Sequence, residues 1–108
     1  MENRNLHIAG ISRALGDESR LRIMELLVEK EYCVGALARR LGCSEAAVSQ
    51  HLKILRLAGL VRGEKRGYWV HYSACTENIV EFADSLKAFV EAGAKTVTNS
   101  PDTENTQE

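Results

Sequence analysis

The stretch that most constrains this chain is residues 35–61, "GALARRLG", "CS" and "EAAVSQHLKILRLAGLV". Two short amphipathic helices separated by about three residues, one of them a glycine, form the helix-turn-helix signature. In the first, Leu37, Ala38 and Leu41 turn inward while Arg39 and Arg40 turn outward. In the second, each residue advances about 100° around the axis. Val48, Leu52, Leu55 and Gly59 then fall within an arc of roughly 60°, a seam to be buried. Ala46, Ser49, Gln50 and Lys53 fall roughly 100° to 200° away from it. That outer face is small, then polar, then cationic, and its polar side chains can all donate hydrogen bonds. Ser44 stands where an N-cap hydroxyl would satisfy an orphan amide of the first turn.

The flanking residues complete an order of helix, helix, strand, helix, helix, hairpin, helix. "NLHIAGISRALG" (5–16) spaces Leu6, Ile8, Ile11 and Leu15 for a helix ending at Gly16. "DESRLRIMELLVEK" (17–30) opens on Asp17 as N-cap and carries Leu21, Met24, Leu27 and Val28 on one side. "EYCV" is too short for a helix and reads as a strand. In "LVRGEKRGYWVHYSA", Leu60 and Val61 open a strand and Arg66-Gly67 makes a tight turn. Tyr68, Val70 and Tyr72 then share one face of the returning strand. A basic hairpin directly after a DNA-reading helix is a wing, with Lys65 and Arg66 at its tip. "TENIVEFADSLKAFVEAGAK" (76–95) carries the stripe Ile79, Phe82, Ala83, Leu86, Phe89, Val90 and Gly93. The small core is mostly supplied upstream, so this stripe is expected to pack on the first helix and on a second subunit. The expected fold is mainly α with a minor β part: a winged helix-turn-helix domain over residues 1–95, with a two-stranded wing and terminal dimerisation helices. Residues 96–108 are polar, hold the only proline, and are expected to form a disordered tail.

Charge distribution separates the function classes better than total charge. The net charge is −1. Residues 39–76, however, set Arg39, Arg40, Lys53, Arg56, Arg62, Lys65 and Arg66 against only Glu45 and Glu64. The two flanking segments are acidic on balance, so a basic middle is placed to meet phosphates with one face. A length of 108 residues supports one domain whose small core an oligomer often completes. No apolar run is long enough to span a membrane, and "MENRNLHIAG" does not read as a secretion signal. The expected setting is the cytoplasm of a bacterium or archaeon. Three cysteines, an odd number, point to free thiols rather than a disulfide framework.

"ALGDESRLRIMELL", "CVGALARRLGCSEAAVSQHLKILRLAGLV" and "KRGYWVHYSA" closely resemble the ArsR/SmtB family of prokaryotic metalloregulators, over roughly residues 6–92. The resemblance implies a winged-helix homodimer that represses transcription by occupying operator DNA and is released by a metal, a metalloid or another stress signal. The positions it implies for DNA binding are Ser44, Glu45, Ala46, Ser49, Gln50, His51 and Lys53. Arg56, Arg62, Lys65 and Arg66 would add salt-sensitive contacts to phosphate. Gln50 suits bidentate pairing with adenine, and Lys53 suits guanine or phosphate. His51 lies about 60° from the buried seam, where it either touches backbone phosphate or caps a neighbouring group. The two recognition helices of a dimer would meet half-sites roughly 34 Å apart.

The thiols depart from the family pattern. Arsenic- and cadmium-type members carry Cys-x-Cys at the start of the short third helix; here Cys33 matches the first cysteine and Gly35 replaces the second. Zinc-type members carry Asp and His on the last helix; here that helix has Glu77, Glu81, Asp84 and Glu91 but no histidine. Carboxylates alone are poor ligands for a transition metal. The cysteine pair of the redox-sensing relatives is absent. Thiolates suit As(III), Cd²⁺ and Cu(I), and Cys33 on the first strand and Cys75 past the returning strand are expected to approach each other as the metal or metalloid site. Cys43 lies roughly 12 Å from Cys33, across about two helical turns, and reads as turn filler. His7 is the one histidine that a partner's N-terminal arm could lend to the site. No resident cofactor is required. No spacing suggests a nucleophile with an oriented base, so the chain does not read as an enzyme. A winged helix serving only protein contacts is the rival class, and the basic middle argues against it. Within the DNA-binding reading, the alternative is a repressor that senses no metal and answers to a thiol-reactive or sulfur species, or to no small molecule.

Overall fold

The computed structural model describes residues 2–99. Its order is α1 (Glu2–Leu15), α2 (Glu18–Glu29), α3 (Val34–Leu41), α4 (Glu45–Leu57), β1 (Val61–Arg66), β2 (Trp69–Ala74) and α5 (Thr76–Asn99). The winged helix-turn-helix expectation holds. The caps fall where the sequence puts them. Asp17 Oδ2 accepts from the amide of Arg20 at 3.1 Å, and Ser44 Oγ accepts from the amide of Ala47 at 3.1 Å. Each satisfies a donor that the first helical turn leaves without a carbonyl. Gly42 ends α3 in the left-handed region at φ 70°, where a side chain would clash with its own backbone. Its amide and that of Cys43 both donate to the carbonyl of Ala38, and the chain reverses directly into α4.

The core lies where α2, α3 and α4 converge beneath the hairpin. Ile23, Leu37, Val48, Leu52, Leu55 and Leu60 are its most deeply buried side chains. The seam of α4 is therefore the one that the periodicity predicts. Each of its leucines holds about 2–5 kcal/mol of stability against truncation to alanine. On α2 the buried side is Ile23, Met24 and Leu27, while Leu21 and Val28 are exposed. That differs from the expected stripe because the face of α2 against α4 is turned about one residue from it.

β1 and β2 pair antiparallel, with Val61 opposite Ala74 and Arg66 opposite Trp69. The connecting turn is Gly67 and Tyr68, one residue later than expected, with Gly67 at φ 64°. Tyr68 accordingly leaves the face it was expected to share with Val70 and Tyr72, and is 98% exposed at the hairpin tip. Val70 and Tyr72 do share a face, and they close over Gly63. A Cβ there would stand 2.9 Å from Tyr72 Cε1 and 3.0 Å from Val70 Cγ1. The strand expected over "EYCV" contracts to one bridge, Tyr32 to Tyr72, with both backbone hydrogen bonds made, at 3.1 and 2.8 Å. It goes no further because α3 begins at Val34.

The terminal helices α1 and α5 pack on each other. Ile11 and Ala14 of α1 are buried, and Ile79 and Phe82 of α5 lie against the core. The distal part of the α5 stripe does not: Phe89 is 49% and Val90 65% exposed, as is Leu6 on α1 at 70%. Residues 96–99, expected to begin the disordered tail, continue α5, and from residue 100 on the tail lies outside the described residues. Among the described residues, no helix is long and apolar enough to cross a membrane.

Candidate DNA-binding face and thiols

α4 is held by three apolar anchors on one side and presents the rest to solvent. Ser44, Glu45, Ala46, Ser49, Gln50, Lys53 and Arg56 are all exposed. The outer face is thus rigidly mounted on the core and open to a docking surface. A helix so displayed fits the major groove, whose base edges Gln and Lys can read.

His51 is half-buried at the flank, and its Nδ1 lies 3.3 Å from Nη1 of Arg20. A guanidinium has donors only, so Nδ1 accepts and the ring proton of a neutral His51 resides on Nε2. Arg20 also donates from Nε to the carbonyl of Ala14 at 2.6 Å and from Nη2 to that of Arg13 at 3.3 Å. One side chain of α2 therefore satisfies carbonyls at the end of α1 and steadies the flank of α4. The contact to a neighbouring group that the sequence offers for His51 is thus made, with Arg20.

The cations divide into two sets. Lys53, Arg56 and Lys65 make no ion pair among the described residues. Arg62 and Arg66 do. Arg62 Nη2 pairs with Glu77 Oε2 at 2.8 Å. The Cys75 sulfur, then Glu77, holds the Arg62 guanidinium above the ordinary arginine range. Glu77 is pulled below the usual carboxylate range by its own backbone amide in the first turn of α5, with Arg62 adding to the effect. Arg66 grips Glu31 through both carboxylate oxygens, at 2.7 and 2.9 Å, and reaches Glu64 at 3.0 Å. The hydrogen bonds to Glu31 and then Glu64 raise its pKa. Arg66, expected at the wing tip as a contact for DNA phosphate, ties the wing back to the α2–α3 connector. These exposed pairs contribute little stability, but they fix where two cations point.

The three cysteines are free: Cys33 half-buried, Cys43 exposed, Cys75 buried. Cys33 is the N-cap residue of α3 and makes no side-chain capping bond. Continued one residue past the Tyr32–Tyr72 bridge, antiparallel register would set Cys33 level with His71, four residues before Cys75. Extended-strand spacing makes that offset roughly 13 Å, which argues against Cys33 and Cys75 forming one site. Cys33 opens instead on a cavity of about 600 Å³ between α3 and β2, with Glu45 and His71 on its walls. At Gly35, where a second family thiol would stand, a Cβ would lie 3.3 Å from Glu45 Oε2 and 3.5 Å from Arg39 Nη1. Among the described residues, no group of three or more His, Cys, Asp or Glu side chains is placed to hold a metal ion.

Three functional contacts escape a sequence reading. Arg20 clamps residues up to 31 positions away, Glu31 meets Arg66 across 35, and Asn78 Nδ2 donates to the carbonyl of Gly59 at 2.7 Å. None leaves a local pattern. The one usable signal is the surplus of arginine close to a predicted helix junction.

Residues 17–62 match the family model for bacterial regulatory proteins of the arsR family. The chain is 42% identical over 78 residues to a transcriptional repressor SmtB homologue of Synechocystis, covering 68% of this chain and 59% of that one. It thus spans about three fifths of that relative's length. It is 35% identical over 86 residues to the transcriptional activator HlyU of Vibrio cholerae, covering 80% of each. The fold is similar to that of an ArsR-like transcriptional regulator from Rhodococcus. The TM-score is 0.81 at 27% identity, over 88% of this chain and 90% of that one.

Proposed function

We propose a function from one settled premise: this chain belongs to the ArsR/SmtB family of DNA-binding transcriptional regulators. Its reading head is the outer face of α4. Gln50, with Ser49 and Lys53, reads base edges, Glu45 accepts from a cytosine amino group, and the small Ser44 and Ala46 let the helix N-terminus approach the duplex closely. Lys53, Arg56 and Lys65 hold phosphates, and Arg62 contributes once Glu77 yields it. The observation that carries this reading is the exposed polar and cationic side of a helix whose other side is anchored by Val48, Leu52 and Leu55.

The working form is a homodimer through α1 and α5. Support comes from the apolar residues Leu86, Phe89 and Val90, which one copy leaves bare on α5, since a row of that kind marks an interface. Operator occupancy then represses transcription, as the SmtB homologue's name states for that relative. The name of HlyU states activation, so the sign depends on where the operator lies.

For release, a soft-metal chelate would require Cys33 and Cys75 to converge. Their separation favours the other reading, in which the repressor answers to thiol chemistry at Cys33 or to no small molecule. Fluorescence anisotropy of the reduced protein on its own promoter DNA tests both parts, titrated with and without As(III), Cd²⁺ and Zn²⁺. Tight, salt-sensitive binding indifferent to all three is the expected result. Release by As(III) or Cd²⁺ that is lost in both Cys33→Ser and Cys75→Ser would restore the paired site. Weak binding that ignores salt would remove the DNA-binding reading.

A further inference from the structure

We propose that the cleft between the α2–α3 connector and β2 is a phosphate-binding site, separate from the face of α4. It has a volume of about 470 Å³, and its walls carry Lys30, Glu31, Tyr32, Arg39, Arg40 and His71. Three of those six are cations, and none of the three makes an ion pair among the described residues. The cleft's one carboxylate, Glu31, is already held through both oxygens by Arg66. It is therefore neutralised from outside, and Lys30 and Arg40 keep their charge without a carboxylate of the cleft to offset it.

The cationic heads are also positioned rather than free. Lys30 Nζ lies 5.3 Å and the Arg40 guanidinium 5.4 Å from the centre of the Tyr32 ring. The ring face attracts both by its quadrupole, so two like charges are held beside one aromatic side chain. Tyr32 itself is 6% exposed, and its buried hydroxyl has no hydrogen-bond partner among the described residues. Like charges gathered at one wall repel one another. A compact, multiply charged anion removes that repulsion, and phosphate matches both the forked guanidinium donors and the point charge of lysine. The pairing of Arg66 with Glu31 gains a purpose here, because it keeps the cleft cationic.

The phosphoryl group has two possible sources, the backbone of bound DNA or a free phosphorylated small molecule. The DNA arm of the test rests on the proposed function; the free-phosphate arm does not. Calorimetric titration of the full chain with inorganic phosphate, against chloride at equal ionic strength, reads the second source. Saturable binding that disappears in K30Q/R40Q supports the site. Anisotropy on duplex DNA over a range of salt reads the first source. Removing two phosphate contacts should flatten the log–log salt slope by about 1.8, and K30Q alone by about 0.9. The single variant keeps the test open if the double one unfolds by circular dichroism. No saturable phosphate binding by the wild type, together with an unchanged salt slope in the variants, overturns the proposal. Failure of the wild type to bind DNA at all would instead count against the proposed function, and the phosphate arm would then decide the cleft alone.

Discussion

Replacing Arg20 with alanine should cost the fold about 2 kcal/mol, although the side chain lies outside the core. The figure follows from its partners. The 2.6 Å bond to the partly buried carbonyl of Ala14 is charge-assisted, a type that contributes about 1.5–3 kcal/mol. The contacts at 3.3 Å to Arg13 and His51 are long and add only fractions. A cation near the C-terminal end of α1 adds about 0.3–1 kcal/mol through the helix dipole. Alanine's slightly better helix propensity offsets a few tenths of that. For a domain of this size, about 2 kcal/mol lowers the melting temperature by roughly 8–16 °C. Thermal and urea unfolding at one fixed protein concentration give the number, the concentration being fixed because an oligomer's stability depends on it. Arg20→Lys should lose about half as much, since one ammonium cannot reach both the Ala14 carbonyl and His51. A double-mutant cycle with His51→Ala should give a coupling of about 0.5 kcal/mol. If Arg20→Ala unfolds within about 0.5 kcal/mol of the wild type, as an ordinary surface change would, the clamp between α1, α2 and α4 is not what holds them.

Gly63→Ala should distort the wing, because the new methyl lies within 3.0 Å of side-chain atoms of both Tyr72 and Val70. Binding to nonspecific duplex should weaken while helical circular dichroism stays unchanged, and unchanged affinity would show that the wing makes no contact. The pH dependence at Glu77 has a fixed sign. Its folded pKa lies below the unfolded one, held there by its own backbone amide and by Arg62. Its stabilising contribution is therefore present above the unfolded carboxylate pKa and is lost as pH falls through the folded value. A carboxyl NMR titration should show Glu77 titrating below the ordinary range, with part of the shift removed in Arg62→Gln. A normal midpoint in the wild type would refute the pairing.

The reading head was legible because its signals are local. The seam at Val48, Leu52 and Leu55, the Ser44 cap and the Gly42 reversal all follow from spacing and backbone preference. The terminal helices were only half legible. Leu86, Phe89 and Val90 continue the same 3.6-residue period as Ile79 and Phe82, and periodicity does not say whether the covering surface is the chain's own core or another surface. The wing tip was misplaced by one residue because Gly67 can take the left-handed conformation at either of the two central turn positions. Charge was the least legible feature. Arg62 and Arg66 resemble Lys65 in sequence, yet their carboxylate partners come from the start of α5 and from the connector before α3. The thiol arrangement was not legible because it depends on register, and only one bridge, Tyr32 to Tyr72, joins the segment of Cys33 to β2.

The central claim is that Gln50 on the outer face of α4 distinguishes one DNA sequence from another. It is tested most directly by the ratio of affinities for promoter DNA and for a scrambled duplex, measured at one salt concentration for the wild type and Gln50→Ala. Loss of a good base contact should reduce the ratio by about 1–3 kcal/mol, roughly 5- to 150-fold, and leave affinity for the scrambled duplex unchanged. A ratio that stays the same, or a loss shared equally by both duplexes, would contradict the account.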